Sequence, residues 1–160
     1  MKKRLINILT SLIMILIISA CAPVDYSKEA VFPEAKPDQA LIYFYRSPGF
    51  IGSTYRFNVY ENKQVVGAMS QNSYFYLLVD PGQHIFVTDV RNVENKSSIA
   101  LNVQSGKTYY VKVDVEYEVI GGTAVFSEVD ESEAMTLLPS RMYVVPAKIN
   151  PSTYNVHAEQ

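Results

Sequence analysis

The 160-residue chain has one cysteine, two histidines and no tryptophan. A single cysteine rules out an internal disulfide and a thiolate metal cluster, so the fold must hold by packing. His84 stands beside a turn and His157 near the C-terminus. Metal binding needs converging ligands, and no Gly-x-Ser-x-Gly elbow accompanies these histidines. The acids Glu128, Asp130, Glu131 and Glu133 lack the ligand spacing of a calcium loop, and acids at a helix start have their own dipole explanation. No metal, cofactor or catalytic residue is therefore expected, and the chain reads as non-enzymatic. A long hydrophobic span is also missing. The apolar run Leu5 to Ile18, taken as a helix, would cover about 21 Å at roughly 1.5 Å per residue, against a hydrocarbon core of about 30 Å.

That short run has the layout of a secretory signal over residues 1–20. Lys2, Lys3 and Arg4 form a basic head, an apolar middle follows, and Ser19-Ala20 supplies small residues before Cys21. The small pair directly before the cysteine resembles the lipobox of bacterial lipoproteins. This resemblance implies cleavage between Ala20 and Cys21, a diacylglycerol on the Cys21 thiol and an acyl group on its new amino terminus. Several acyl chains pass the threshold for stable attachment that one chain does not. Residues 1–20 carry three of the fourteen Lys and Arg and none of the sixteen Asp and Glu; eleven against sixteen leaves the mature chain a net charge near −5. That balance argues against nucleic acid and against an electrostatic hold on anionic head groups. The membrane is then reached through the lipid on Cys21. Ala22 occupies the place where an aspartate favours inner-membrane retention in lipoproteins of the enteric type, so the expected address is the outer membrane, facing the periplasm.

Residues 21–38, with Pro23, Pro33 and Pro37 among small and charged residues, read as the lipidated cysteine and a flexible tether. From residue 39 to 138 the chain changes to short β-branched and aromatic runs. Ala40 to Arg46 is apolar on both alternating faces, which suits a strand covered on both sides. Thr54–Tyr60 and Gln64–Met69 read as a hairpin around Glu61-Asn62-Lys63, and Ser73–Val79 leads through the Asp80-Pro81-Gly82-Gln83 turn to a partner strand at His84–Val90. Strands follow at 98–103, 108–117 and 123–129, the second of these with the clearest period-2 alternation. Asp130 to Leu138 suits one short helix, with Asp130 or Ser132 as N-cap. Residues 139–160 read as a partly disordered extension with a brief extended piece near Met142–Val145. Seven or eight strands at roughly ten-residue spacing indicate an all-β, antiparallel β-sandwich, with an open-ended barrel as the alternative.

Three stretches carry a resemblance. Ile42-Tyr43-Phe44-Tyr45-Arg46, Val79-Asp80-Pro81-Gly82-Gln83-His84 and Gly106-Lys107-Thr108-Tyr109-Tyr110-Val111, in this order and at these separations, resemble the bacterial envelope lipoproteins grouped as domain of unknown function 2846. The likeness covers about residues 34–138. It implies a lipid-anchored all-β domain with no assigned activity. The same strand and turn pattern is similar to transthyretin-like and carbohydrate-binding-like sandwiches.

Tyrosine is the over-used residue, with twelve copies. Tyrosines suit strands, and they are also enriched where a protein meets a partner. Tyr43, Tyr45 and the adjacent Arg46 are therefore the candidate binding surface, for an envelope protein or, as an alternative, a glycan or peptidoglycan fragment. An envelope hydrolase, a third reading, would need His84 joined to an acid and a serine. Cys21→Ala should abolish palmitate labelling and move the protein from the membrane to the soluble fraction; a variant that still labels would remove the anchor assignment.

Overall fold

The computed structural model describes residues 26–27, 32–49, 56–90, 97–117 and 122–144. The signal segment, Cys21 and the end of the chain from residue 145 lie outside the described residues. Ten strands are present among those described: β1 (Tyr26–Ser27), β2 (Ala40–Tyr45), β3 (Phe57–Glu61), β4 (Gln64–Met69), β5 (Ser73–Val79), β6 (Gly82–Val90), β7 (Ser97–Val103), β8 (Thr108–Tyr117), β9 (Gly122–Val129) and β10 (Met142–Val144). A helix, α1 (Glu131–Leu137), and a 3-10 turn (Leu138–Ser140) separate β9 from β10. The strands form a six-stranded sheet in the order β1-β10-β5-β2-β8-β9 and a four-stranded sheet in the order β4-β3-β6-β7. The all-β sandwich is thus as the residue pattern predicts, with the short helix in its expected place.

The pairing differs from the expectation in two ways. First, the larger sheet is mixed: β2 pairs in parallel with β8, and β10 in parallel with β5. Strand β2 is buried along its whole length, the condition that parallel pairing in a sheet interior requires. Second, β5 and β6 are not partners. The Asp80–Gln83 turn carries the chain from one sheet to the other, and so does the turn between β7 and β8. Their glycines, Gly82 at φ +139° and Gly106 at φ +72°, take a conformation that strains an L side chain. A tight turn read from sequence shows where the chain bends and is silent on whether it returns to the same sheet. The β3–β4 connection is a true hairpin: Asn62 and Lys63 both have positive φ (48° and 65°), the two-residue geometry that matches strand twist.

The tether reading of residues 21–38 also changes. Tyr26–Ser27 pairs antiparallel with β10, and Phe32, Pro33 and Ala35 lie on the larger sheet. Residues 139–144 belong to the fold as the 3-10 turn and β10, the latter where the brief extended piece near Met142–Val145 is expected.

Between the sheets sits a phenylalanine core. Phe44 of β2 stacks on Phe75 of β5 (centroids 4.9 Å apart, 13° between planes) and meets Phe86 of β6 edge-on at 4.9 Å and Phe126 of β9 at 6.3 Å. Ile42, Val59, Val111 and Val113 complete the layer, all fully buried. Gly67 of β4 lies directly over the Phe75 ring: a Cβ at Gly67 would come within 2.1 Å of it. Gly67→Ala must displace that buried ring and should lower unfolding stability by about 1–3 kcal/mol, as for other overpacked cores. Urea unfolding measures it, and an unchanged midpoint would contradict this packing.

Candidate functional site

The face of the six-stranded sheet turned away from the sandwich carries the tyrosines. Period-2 alternation sends Leu41, Tyr43 and Tyr45 of β2 to that side, opposite Ile42 and Phe44. The register then aligns Tyr43 with Tyr76 of β5 and Tyr110 of β8, Tyr45 with Tyr74, and Tyr74 with Tyr143 of β10. Rings pack across the strands. Tyr43 stacks on Tyr110 (5.6 Å, 7°), Tyr76 on Tyr143 (5.4 Å, 12°), and Tyr74 meets Tyr143 at 5.3 Å.

This layer is covered. Helix α1 and its 3-10 extension bring Ala134, Leu137 and Leu138 onto it. Asp130 is the N-cap, its carboxylate accepting from the Glu133 N–H (2.8 Å) and the Ser132 hydroxyl (2.6 Å), and these bonds hold its carboxyl below the usual range. From the N-terminal side Phe32 stacks on Tyr74 (5.4 Å, 3°), and the Tyr43 hydroxyl donates to the Pro33 carbonyl at 3.0 Å. Burial raises the Tyr43 hydroxyl far above its ordinary value and pushes Tyr45 up to about 12, with nearby Tyr110 and Glu133 adding to the respective shifts. Both stay neutral at physiological pH.

The expected binding surface is therefore not a surface. Tyr43, Tyr45 and Arg46 are 3%, 0% and 3% exposed. Tyr45 and Tyr43 belong to the covered layer, and Arg46 follows them at the buried end of β2, where its N–H donates to the Ser73 carbonyl. Residue composition is the same for a displayed and for a covered aromatic sheet; the cover comes from segments distant in sequence.

Among the described residues a groove of about 370 Å³ opens at the edge of the cover. Its floor is Tyr43, Tyr110 and Thr108; one wall is Phe32 to Ala35, and the other is Glu131 and Met135 of α1. Phe32 and Met135 are its exposed apolar lips, at 40% and 42%. The Tyr110 hydroxyl, raised by burial, bonds the Glu131 side chain, so the polar wall is oriented by the floor. At this size the groove is at the lower end of the roughly 300–1,000 Å³ in which small ligands or anchoring side chains are held. Of its lining, Tyr43 and Tyr110 are among the tyrosines that the sequence offers for binding, and Glu131 is one of the acids weighed for calcium. Phe32 and Met135 carry no local signal, because they meet the floor only when residues 32–35 and α1 dock on the same sheet.

A second polar constellation lies at the β3–β4 end of the other sheet. His84 Nδ1 donates to Glu61 Oε1 (2.5 Å), and Nε2 to the Asp80 carbonyl (2.8 Å). The ring is also parallel to Phe86, at 6.1 Å. Both nitrogens face acceptors, so the doubly protonated ring satisfies both. Neither nitrogen is left to serve as a general base. Among the described residues no three His, Cys, Asp or Glu side chains converge to hold a metal ion. Arg141, buried beside the 3-10 turn, donates to Asn72 Oδ1 and to the Ser140 hydroxyl; with the bond from the Met142 N–H to the Asn72 carbonyl (3.0 Å), it fastens β10 to the β4–β5 turn.

Comparison with known proteins now fits this architecture. A family profile described as a protein of unknown function, DUF2846, matches residues 36–125. The chain belongs to the DUF2846 family. An uncharacterized protein of Haemophilus influenzae is 25% identical to it over 124 residues, covering 74% of this chain and 72% of that protein. The DUF2846 match begins just after the Phe32–Ala35 wall and ends before α1. It therefore includes the tyrosine floor and both sheet-crossing turns, while the groove's two walls lie outside it.

His84 provides a pH test. Burial opposes its charge, but the bonds to Glu61 and Asp80 outweigh this and raise its pKa above 6.5. A raised folded value means that the stabilisation is complete below the unfolded pKa and is lost as pH climbs through the folded one. Unfolding midpoints should fall as pH rises from about 6 to about 8, and His84→Gln should flatten this dependence. An equally steep profile in the variant would assign the effect to other groups.

Proposed function

We propose that this DUF2846 protein is a lipid-anchored, non-enzymatic interaction module of the bacterial envelope, held by acyl chains on Cys21 and engaging a partner at the groove beside its covered tyrosines. The groove is the observation that carries this reading. A buried, hydrogen-bonded floor costs little to keep ordered, and exposed Phe32 and Met135 offer apolar area that a partner can desolvate. The anchor rests on the basic, apolar and small segments that lead to Cys21. Ala22 favours the outer membrane, with the domain in the periplasm.

An envelope protein is the preferred partner. Glycan recognition through Tyr43 and Tyr45 would need open ring faces, and these two rings are packed under α1 and residues 32–35. A hydrolase built on His84 would need a free imidazole nitrogen, whereas both face acceptors.

A photo-crosslinking amino acid at Met135, on the groove lip, tests the assignment in intact cells against the same probe at Ile85, which is exposed on the other sheet (52%). A discrete adduct from position 135 alone, lost when Thr108→Phe fills the groove, is the expected result. An adduct that survives the filling, or none from either position, would overturn the groove as the site of engagement.

A further inference from the structure

The charged side chains that line the groove beside the tyrosines are carboxylates. Glu34 stands on one wall and Glu131 of α1 on the other, and among the described residues no lysine, arginine or histidine joins them in the lining. Lys36 and Lys107 follow the lining residues Ala35 and Gly106 in sequence, but neither lines the groove. The ion pairs among the described residues use other acids, namely Glu61, Asp114 and Glu133. Two like charges thus share one concave site with no cation of the chain's own to balance them, and a cleft lined by one sign of charge concentrates its field.

The floor is committed to holding the walls. The Tyr43 hydroxyl donates to the Pro33 carbonyl, next to Glu34, at 3.0 Å, and the Tyr110 hydroxyl bonds the Glu131 side chain. Beyond the Thr108 hydroxyl, a ligand therefore meets carboxylate oxygens beside the apolar lips Phe32 and Met135. A purely apolar anchor would strip water from those acids and return nothing, and an anionic one would be repelled. A lysine or arginine side chain suits both parts. Its alkyl stem lies along apolar surface, and its head group makes charge-assisted hydrogen bonds to carboxylates.

We propose that the groove takes a lysine or arginine side chain of the partner protein, with the stem between Phe32 and Met135 and the head group on Glu34 and Glu131. The inference rests on the groove as the site of engagement and adds to it the charge of the residue received. A mature chain of net charge near −5 also favours encounter with a basic partner surface.

Methionine methyl groups provide the readout by NMR. Met135 is on the lip, Met69 is buried in the sandwich, and Met142 is exposed without lining the groove. The full chain, isotope-labelled at its methionine methyls and held in a neutral detergent, is titrated with blocked pentapeptides of glycine whose central residue is arginine, lysine, glutamine or glutamate. The arginine and lysine peptides should shift the Met135 methyl to saturation with Met69 and Met142 unmoved, and the other two should not. Glu34→Gln and Glu131→Gln should each weaken this binding by roughly two- to fivefold, the range of exposed ion pairs. The double variant should erase the preference for arginine over glutamine. Equal binding of the glutamine peptide, or no response to arginine and lysine, would overturn the cation and leave the groove to be judged by crosslinking. Thr108→Phe fills the groove and keeps both acids, so a response that survives it with Met69 unmoved would locate binding elsewhere and remove the groove along with the cation. A response to spermidine alone would assign the groove to a free polyamine and overturn the side-chain reading.

Discussion

Strand β2 has all six residues buried, and the rest of the structure is arranged to bury them. A strand that is apolar on both sides cannot face water on either. On one side Ile42 and Phe44 demand the second sheet, which supplies Phe86 and Val59; on the other Leu41, Tyr43 and Tyr45 demand a cover, which α1 and residues 32–35 supply. The flanking strands follow from the same constraint. β5 and β8 bond to both edges of β2, so none of its backbone groups need remain unpaired in the interior. Losing the cover would leave a tyrosine layer in water; losing the smaller sheet would leave the phenylalanines there.

The same strand explains why the three stretches that mark the family lie so far apart in sequence yet work as a unit. Ala40 pairs with Val79 and Leu41 with Thr108, so the start of β2, the Pro81-Gly82 crossing and the Gly106-Lys107 crossing meet at one end of the sheet. The Gly106 N–H donates to the Gln39 carbonyl, and the Leu41 N–H to the Lys107 carbonyl, both at 2.9 Å. The two crossings place the four-stranded sheet over β2 and fix the register of the tyrosines on its far side. The groove follows from that register: Tyr43 and Tyr110 stack because β2 and β8 run in parallel with these residues opposed.

The structure divides into the segment that the family profile matches and the pieces that flank it. The matched segment, residues 36–125, contains β2 to β8, the start of β9 and the groove floor of Tyr43, Thr108 and Tyr110. The pieces that turn the floor into a groove, residues 32–35 and α1, flank that match on its two sides, as do β1 and β10, which pair with each other. Chain ends are where such additions cost the core least, since they bury outer faces and leave the sandwich interior unchanged.

Much of this was legible residue by residue. Alternation placed the strands to within a few positions, Asp130 marked the start of α1, and the doubly apolar Ala40–Tyr45 run announced an interior strand, because these are local consequences of side-chain period and capping chemistry. The signal layout before Cys21 is a local expectation of the same kind, on residues outside those the structure describes. Strand partnership was decided elsewhere. Whether the Pro81-Gly82 turn folds back or crosses over depends on which apolar faces find each other, a long-range free-energy balance that no short window contains. The fate of the tyrosines depended on it too. Tyr43 and Tyr45 look the same in sequence whether they greet a partner or lie beneath a helix, and only the docking of α1 and residues 32–35 onto their sheet buried them and left the groove at its margin.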